Sequence, residues 1–531
     1  MLATLVTAVV SGLRGELVRV EVDVAPGLPV CHIVGLPDAA LSEARERVRA
    51  AIRNSGFEYP LSRITINLAP ADRRKFGAAY DLAIAVGILV ASGQIRAGGG
   101  QWALLGELSL GGSLTPVPGV LPMVATLRRA GYRRVALPAA NLAEARLVEG
   151  VEAAGLEGLG DAARLVAGPR GRRAASAEAR PQVRISNPAE AALAGNANGS
   201  APADLVEGVE PVDLREVRGQ PSARWALEVA LVGGHNLLLV GPPGAGKTLL
   251  ARAIPGLLPA LDDAEALEVS VIESVCGGLG PTGSLRRSRP FRAPHHTSSY
   301  AALVGGGPRL APGEVTRAHL GVLFLDELAE FDRNVLDALR QPLEEGSLIV
   351  ARASGEVRFP ARIQLVAAMN PCRCGYAGDP ERPCRCPIGD PDRYVRRVSG
   401  PLMDRLDIRV ELGRVAPAAL LLAPEPEPSA VVAERIARAR RRAIVRNGGR
   451  GNARLNGAAA LRACHLQPRA RARLSELASS SGLSARGVHR ILRVARSVAD
   501  LAGDETVGED ALLAAAAMRD PQSSRMPTLA A

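Results

Sequence analysis

The stretch HNLLLVGPPGAGKTLLARAIPG, residues 235–256, decides the fold of the central part of this 531-residue chain. An apolar run precedes a glycine-rich segment with the spacing GxxxxGKT, and a helix-forming segment follows it. Backbone N–H groups of such a loop wrap the phosphates of a nucleotide, Lys247 meets the β- and γ-phosphates, and Thr248 holds Mg²⁺. The predicted nucleotide-binding residues are Gly241, Pro242, Pro243, Gly244, Ala245, Gly246, Lys247 and Thr248.

A glycine-rich turn in front of a core helix is the alternative interpretation of this stretch. Lysine composition argues against it, because the chain contains only two lysines, Lys75 and Lys247. A chance match to a pattern that requires lysine is improbable in such a sequence. We therefore predict that the chain uses ATP and Mg²⁺.

Two further apolar runs, each ending in polar residues, follow the glycine-rich loop. The run GVLFLDEL ends in Asp326 and Glu327, which are predicted to bind Mg²⁺ and to polarise the attacking water, respectively. The run IQLVAAMN ends in Asn370, an amide suited to sensing the γ-phosphate or the water. A helix cap for the acidic pair and a turn for Asn370 are the structural alternatives.

Outward from these motifs, the chain divides into three folded regions. Buried strands alternate with helices over residues 212–415, which predicts an α/β fold with a parallel sheet. Residues 1–168 mix short β-rich runs with helical stretches and predict a separate mixed domain, and 169–211 is rich in Gly, Ala and Pro and predicts a flexible linker. Residues 430–520 show helical spacing throughout and predict an all-helical domain. We call these regions the N-terminal domain, the P-loop domain (212–415) and the lid domain.

The formal charge of +11 is concentrated in the lid domain. Residues 434–496 contain sixteen arginines and two acidic residues, Glu434 and Glu476, which favours a polyanionic partner such as DNA. A solvated helical surface is the alternative. No apolar face rich in Trp or Phe accompanies these charges, so a membrane surface is disfavoured, and the apolar N-terminus lacks the basic region of a signal peptide. We expect a cytoplasmic protein without a membrane partner.

Four of the seven cysteines lie in one short loop after Asn370. They are Cys372, Cys374, Cys384 and Cys386, in the spacing C-x-C-x9-C-x-C. Four thiolates can hold one Zn²⁺ in a closed structural site, although the inner spacing is tighter than the usual C-x2-C. Reduced thiols in a turn-rich loop are the alternative.

The segment GSLIVARASGEVRFPARI, residues 346–363, predicts a β-hairpin. Ser354 and Gly355 occupy its turn, and Arg352, Arg358 and Arg362 lie along it, where they can grip a phosphate backbone. A solvated edge hairpin is the alternative. Adjacent His295 and His296, in FRAPHHTSS, are poor joint metal ligands, and no chemistry is assigned to them.

The motifs together resemble those of AAA+ ATPases, and more narrowly the magnesium-chelatase-like YifB/ComM family. The residues that carry the resemblance are GGHNLLLVGPPGAGKT, FRAPHHTSS, FLDELAEF, RASGEVRFPARIQLVAAMNPCRCG and GPLMDRLDI. The resemblance implies a hexameric ring with ATP between subunits, Arg405 as the arginine finger, Arg486 as the sensor-2 arginine of an all-helical lid, and a hairpin that points into the pore. A surface salt bridge is the alternative role for each arginine.

Residues 75–135 resemble the proteolytic domain of Lon-type proteases, which has an S5-like fold. Those enzymes use a Ser–Lys dyad, but the matching positions here hold Ala79 and Leu121. Neither side chain can do this chemistry, and Lys75 matches no motif position. The resemblance therefore implies an interaction or ring-assembly module without peptidase activity.

From the family resemblance we expect a homo-hexameric motor that uses Mg-ATP to move along DNA. Its substrates would be single-stranded and branched DNA, and its activity branch migration of recombination intermediates during natural transformation. Two alternatives stay open: a protein-remodelling ring, suggested by the Lon-like domain, and the motor subunit of a chelatase that inserts a metal into a tetrapyrrole.

Overall fold

A computed structural model describes residues 1–35, 39–70, 77–98, 100–168, 184–185, 212–280, 283–307, 310–352, 355–416, 424–480 and 482–519. For residues 39–42, 184–185, 352 and 355 it describes the backbone alone. Lys75 and Ser354 lie outside the described residues, as does most of the predicted linker 169–211.

The N-terminal domain is built on a mixed sheet with the strand order β10-β9-β8-β5-β1-β2-β4-β3. Its strands are β1 (Leu2–Ser11), β2 (Arg14–Ala25), β3 (Val30–Val34), β4 (Arg63–Ala69), β5 (Ala103–Leu104), β8 (Arg134–Pro138), β9 (Glu152–Leu156) and β10 (Arg184–Ile185), and a small hairpin forms from β6 (Glu107–Leu108) and β7 (Leu114–Thr115). Its helices are α1 (Ala39–Asn54), α2 (Asp81–Ala91), α3 (Val120–Arg129), α4 (Leu142–Ala145) and α5 (Leu159–Ala167).

The apolar N-terminus forms strand β1, which pairs with β2 along its whole length and with β5 on its other side. Helix α2 is apolar all round and buried almost throughout, because it packs on β1, β2, α1 and α5. Strand β10 pairs with β9 and lies within the range predicted as linker. These two residues therefore belong to the sheet of the N-terminal domain.

The P-loop domain contains a fully parallel sheet of five strands, in the order β12-β15-β18-β11-β19. These strands are β11 (Leu237–Val240), β12 (Phe291–Arg292), β15 (Val322–Leu325), β18 (Gln364–Met369) and β19 (Ile408–Glu411). The helices are α6 (Pro221–Gly233), α7 (Lys247–Arg252), α8 (Asp263–Cys276), α9 (Tyr300–Val304), α10 (Glu314–Arg317), α11 (Arg333–Ala338), α12 (Arg340–Glu345), α13 (Asp390–Val395) and α14 (Gly400–Met403). Short strands β13 (Gly305–Gly306) and β14 (Ala311–Pro312) pair with each other.

The predicted parallel sheet brings three polar strand ends to one edge. Val240 of β11 pairs with Met369 of β18, and Leu325 of β15 pairs with Ala367 of the same strand. Every residue of these three strands is buried, as their continuous apolar sequence predicts. The glycine-rich loop, the acidic pair and Asn370 therefore leave the sheet side by side, where open α/β sheets bind ligands.

The predicted hairpin forms from β16 (Ser347–Arg352) and β17 (Gly355–Pro360). Arg358 lies on its exposed side, and the neighbouring Phe359 is fully buried. The prediction that Arg362 lies along the hairpin is wrong, because β17 ends at Pro360. Arg362 follows the strand, and its guanidinium donates to Glu268 of α8 at 2.5 Å.

The lid domain is all-helical and packs on α6 of the P-loop domain. Its helices are α15 (Ser429–Arg446), α16 (Gly457–Cys464), α17 (Pro468–Ser480), α18 (Ala485–Ala502) and α19 (Glu509–Ala517). Apolar residues of the lid and of the P-loop domain form one continuous buried cluster. Within the described ranges, no helix is both long and apolar enough to cross a membrane.

The lid arginines fall into two sets. Eight have partners inside the chain: Arg435, Arg440, Arg442, Arg446, Arg473, Arg490, Arg493 and Arg496. The other eight are exposed and have no hydrogen-bond or ion-pair partner in the described part of the chain: Arg438, Arg441, Arg450, Arg454, Arg462, Arg469, Arg471 and Arg486. About half of the local basic excess is therefore used for internal structure.

The N-terminal domain docks on α8 through Ser274. The backbone N–H of Gly119 donates to the Ser274 carbonyl at 2.8 Å, and the Ser274 hydroxyl donates to the buried carboxylate of Glu144. The backbone N–H of Leu121 donates to the same carboxylate at 2.9 Å. Leu121, at the position that matches the Lon lysine, is therefore part of an interface between domains.

Candidate nucleotide-binding site

The glycine-rich loop connects β11 to α7 with the geometry that its sequence predicts. Gly244 and Gly246 have φ angles of +79° and +88°, which lie in the left-handed region that side chains disfavour. Lys247 begins α7 directly after this turn. The loop residues Pro243–Gly246 line a cavity of about 500 Å³, a volume in the range of small-molecule sites.

Lys247 is held by three oxygen atoms at the edge of the sheet. Its Nζ donates to the carbonyls of Gly241 at 2.6 Å and Pro242 at 2.9 Å, and to Oδ1 of Asn370 at 3.0 Å. The side chain is 8% exposed, and this burial lowers its pKa. The predicted phosphate-binding cation and the predicted sensor amide are therefore in direct contact.

Thr248 and Asp326 provide the oxygen ligands expected of a magnesium site. The Thr248 hydroxyl donates to Oδ2 of Asp326 at 2.6 Å, so two residues 78 positions apart in the chain meet. Hydroxyl and carboxylate oxygens are the donors that Mg²⁺ prefers, and Mg²⁺ commonly takes its remaining ligands from phosphates and water. The pair therefore fits the predicted cofactor, Mg-ATP.

Glu327 stands at the mouth of the site with a strained backbone. Its φ angle of 53° is left-handed, its N–H donates to Oδ1 of Asp326 at 2.9 Å, and its side chain is about half exposed. An exposed carboxylate at this place has the chemistry that the predicted water-polarising role requires.

His296 is a site residue that the sequence analysis missed. Its Nδ1 lies 3.2 Å from Oε2 of Glu327, and its ring meets Phe331 edge-on at 6.5 Å. The available signal was its position soon after β12, the fourth strand of the parallel sheet to end at this edge. Metal binding is the only role that the sequence suggested testing for the histidine pair.

Arg405 lies at the opposite edge of the sheet. It precedes β19, and its carbonyl accepts a hydrogen bond from Asn236, the residue before β11. Its guanidinium is paired with Glu344 of α12. Since a four-residue strand spans about 13 Å, Arg405 is well separated from the glycine-rich loop of its own chain.

Arg486 is exposed near the start of α18. Arg490, one helical turn further on, donates to the carbonyl of Asp404, beside Arg405. Arg486 therefore lies one helical turn from a residue that contacts the segment beside Arg405.

The four clustered cysteines converge, as the zinc prediction requires. Their sulfur atoms lie within 4.8 Å of one another, and the sulfur of Cys372 is 3.4 Å from that of Cys374 and 3.7 Å from that of Cys384. A tetrahedral zinc site with Zn–S bonds of about 2.3 Å has sulfur atoms about 3.8 Å apart. The cluster fits Zn²⁺.

The fold and the site together define a P-loop protein of the AAA+ type. Three family profiles match the chain: "Magnesium chelatase, subunit ChlI" at residues 213–420, "Subunit ChlI of Mg-chelatase" at 20–141, and "Magnesium chelatase, subunit ChlI C-terminal" at 426–519. The matches cover parts of all three predicted domains.

Relatives that match almost the whole chain identify the family within this class. The chain is 43% identical to an uncharacterized protein of Mycobacterium tuberculosis, over 97% of this chain and 98% of the relative. It is 40% identical to the competence protein ComM of Haemophilus influenzae, over 93% of each, and 41% identical to the uncharacterized protein YifB of Escherichia coli, over 92% and 91%. The chain therefore belongs to the YifB/ComM family of magnesium-chelatase-like AAA+ proteins.

Proposed function

We propose that this protein is an ATPase that assembles as a hexameric ring and drives movement along DNA. The ATPase activity is inferred from two hydrogen bonds at one edge of the sheet, between Lys247 and Asn370 and between Thr248 and Asp326. Lys247 binds the β- and γ-phosphates, Thr248 and Asp326 hold Mg²⁺, and Glu327 positions the attacking water. Bound Mg²⁺ neutralises the charge that develops on the phosphates.

The positions of Arg405 and Arg486 support a ring. Arg405 lies at the opposite end of the strands from the glycine-rich loop of its own chain, so it is placed to serve a nucleotide in a neighbouring subunit. Arg486 is exposed, as the sensor-2 role implied by the resemblance requires. Guanidinium groups supplied from another chain stabilise the charge of phosphoryl transfer in this way. The Glu344 carboxylate that pairs with Arg405 here would then be exchanged for phosphate.

Exposed arginines support DNA as the track. Arg358 stands on the exposed side of the hairpin, and eight lid arginines are exposed without partners in the described ranges. Arginine binds phosphates through several N–H groups at once. The relative called competence protein ComM adds support for DNA, since competence concerns DNA uptake. Branch migration during natural transformation would take place in the cytoplasm, so we propose that location for the protein.

The N-terminal domain is proposed as an assembly module rather than a peptidase. Ala79 and Leu121 occupy the positions that match the Lon dyad, and neither side chain can act as a nucleophile or a base. The backbone N–H of Leu121 instead donates to the Ser274 hydroxyl of α8 at 3.3 Å and takes part in docking. This role is compatible with an S5-like fold that has lost a reaction.

The direct test is ATP-dependent branch migration of a synthetic four-way DNA junction by the full-length protein. We expect strand exchange with wild type. We expect none with Glu327→Gln, which should bind ATP, assemble and stall because the water is no longer polarised. Strand exchange by Glu327→Gln at the wild-type rate would show that Glu327 does not polarise the water. Absence of strand exchange with wild type would exclude branch migration as the activity of this protein.

A second candidate is the motor subunit of a metal-inserting chelatase, which the names of the matching family profiles favour. The same ATPase site would serve it. The two candidates differ in what stimulates hydrolysis: a chelatase motor responds to its partner subunits and is indifferent to DNA.

A further inference from the structure

The cavity beside the glycine-rich loop has a second wall that comes from the cysteine loop, residues 372–386. One wall consists of Pro243–Gly246 together with residues 216–220, which precede α6. The opposite wall is formed by Tyr376, Glu381 and Arg382 of the cysteine loop and by Arg414 after β19. A nucleotide whose phosphates lie on the glycine-rich loop would place its base and ribose in this cavity.

The second wall is a stack of planar groups. Above the ring of Tyr376, the guanidinium carbons of Arg382 and Arg414 lie 5.6 Å and 5.3 Å from its centre. Arg414 is fixed in turn by Asp379 of the loop, whose Oδ2 accepts from its Nε at 2.7 Å. Aromatic and guanidinium planes bind purine and pyrimidine bases by stacking. The wall is therefore chemically suited to a base.

The cysteine loop is pressed against the nucleotide loop. Gly375 has a φ angle of +87°, and a Cβ placed on it would come within 2.5 Å of Cδ of Pro243. On either side of Tyr376, cysteines hold the chain: the sulfur of Cys372 accepts from the N–H of Ala377 at 3.3 Å, and that of Cys386 accepts from the N–H of Cys374 at 3.4 Å. The positions of the sulfur atoms therefore fix the position of Tyr376.

We propose that zinc held by Cys372, Cys374, Cys384 and Cys386 sets the nucleotide affinity of this ATPase by fixing the base-binding wall. The ligand is a purine nucleoside di- or triphosphate, and the metal is a structural ion with no open coordination position. The inference rests on the proposed function, because it takes the cavity to be the nucleotide site. Since linkage is reciprocal, nucleotide also tightens zinc binding.

The coupling has a simple physical origin. Without the metal, the loop loses the four bonds that restrain it. Nucleotide must then order the loop as it binds, and that entropic cost weakens binding. Phosphate contacts on the glycine-rich loop are unaffected, so the loss falls on the part of the affinity that the base contributes.

The test uses the full-length protein and two readouts: zinc per chain by elemental analysis, and equilibrium binding of fluorescent ATP and ADP analogues. Cys384→Ser is the central variant because Cys384 is exposed, so its loss leaves the buried packing intact. Cys384→His retains a zinc ligand, and Tyr376→Ala removes the stacking ring alone. Cys276→Ser is the matched control, an exposed cysteine of the same domain outside the cluster.

We expect one zinc per wild-type chain, and for Cys384→Ser a loss of zinc together with at least a tenfold rise in the nucleotide Kd. Cys384→His should restore both, Tyr376→Ala should raise the Kd at least fivefold with zinc retained, and Cys276→Ser should change neither. Loss of zinc with an unchanged Kd, or wild-type protein free of zinc, would overturn the proposal.

A Lys247→Ala variant separates this proposal from the one on which it rests. If Lys247→Ala abolishes nucleotide binding but Cys384→Ser leaves it unchanged, only the coupling to zinc is wrong. If Lys247→Ala binds nucleotide as wild type does, the cavity is not the nucleotide site, and the proposed function and the coupling both fall.

Discussion

Glu327 and His296 form a pair at the point where water must be activated. The contact of 3.2 Å between His296 Nδ1 and Glu327 Oε2 restricts the rotamers of a carboxylate that is otherwise about half exposed. Catalytic groups lose rate steeply when they are misplaced by as little as about 1 Å. If Glu327 polarises the water as proposed, His296 is a positioning residue for it.

Replacing His296 by Ala should lower the kcat for ATP hydrolysis by on the order of tenfold, because the Glu327 carboxylate is no longer held. The KM for ATP should stay near the wild-type value, since the pair lies outside the phosphate-binding loop. A steady-state ATP titration measures both. His296→Asn retains a hydrogen-bond donor and should recover part of the rate. An unchanged kcat in His296→Ala would show that His296 does not position Glu327.

The sequence predicted much of the site because each motif follows a buried strand. Lys247, Thr248, Asp326 and Asn370 are far apart in the chain, and the parallel pairing of three apolar strands brings them together. His296 was missed because β12 is only two residues long and carries too weak an apolar pattern to mark a strand end.

At the scale of elements, the hairpin β16–β17 is anchored through its base. Past β17, the backbone N–H of Arg362 donates to Nδ1 of His319 at 2.9 Å, and the opposite ring nitrogen lies 2.9 Å from Oε2 of Glu268 on α8. His319 is fully buried. Its Nδ1 accepts a hydrogen bond, so the folded structure needs the neutral ring.

Burial lowers the pKa of His319 to about 4, with Arg362 and Arg454 adding to the effect against the raising influence of Glu268. In the unfolded chain the pKa of histidine is about 6.5. Between these values the unfolded state binds more protons, so the free energy of unfolding falls as pH falls from about 6.5 to about 4, by at most about 3 kcal/mol.

Urea unfolding at pH 7.5 and at pH 5 checks this expectation. We expect wild type to lose stability at pH 5 and His319→Gln, which cannot take up the proton, to lose less. Equal losses in the two proteins would assign the acid sensitivity to other groups. Glu268→Gln is a second comparison, because it keeps a hydrogen-bond acceptor for the His319 ring but removes the negative charge beside it.

Element types were predicted well, and interactions between elements were not. The strands β11, β15 and β18, the hairpin and the lid helices all form where their apolar spacing indicates. Periodicity gives the type of an element but not its partners. Arg362 was therefore assigned to the hairpin, although it pairs with Glu268. Most of the paired lid arginines likewise have partners far along the chain, such as Glu228 for Arg435, which no local pattern reveals.

At the scale of the molecule, the N-terminal domain and the P-loop domain share a buried polar contact. Ser274 of α8 donates to Glu144, and burial raises the pKa of that carboxyl. Nearby, the turn between β1 and β2 meets the hairpin, where Gly12 packs against Val357. The N-terminal domain therefore contacts both α8 and the hairpin.

Ser274→Ala should loosen this docking, because Glu144 loses a hydrogen-bond donor at a cost of about 1–3 kcal/mol. Hydrogen exchange of the backbone amides of α3 should speed up in this variant. Ser270→Ala is the matched control, since Ser270 is buried on the same helix but bonds Arg286 within the P-loop domain. Equal exchange in α3 for both variants would contradict a role of Ser274 in docking.

The proposed sharing of active sites between subunits can be tested by mixing variants. Arg405→Ala and Lys247→Ala should each be inactive as pure proteins. Mixed rings contain interfaces that join an intact Arg405 to an intact Lys247, so mixing should restore part of the ATPase activity. If no mixing ratio restores activity, Arg405 has only a structural role, such as its pairing with Glu344.

ATP hydrolysis by the full-length protein, measured without DNA, with single-stranded DNA and with a four-way junction over a salt series, tests the central claim most directly. We predict stimulation by both DNAs that fades as salt rises, because arginine–phosphate contacts release counterions. Changing exposed Arg469 and Arg471 to Glu should weaken the stimulation, with basal hydrolysis unchanged. Hydrolysis that is indifferent to every DNA at every salt concentration would contradict a DNA motor.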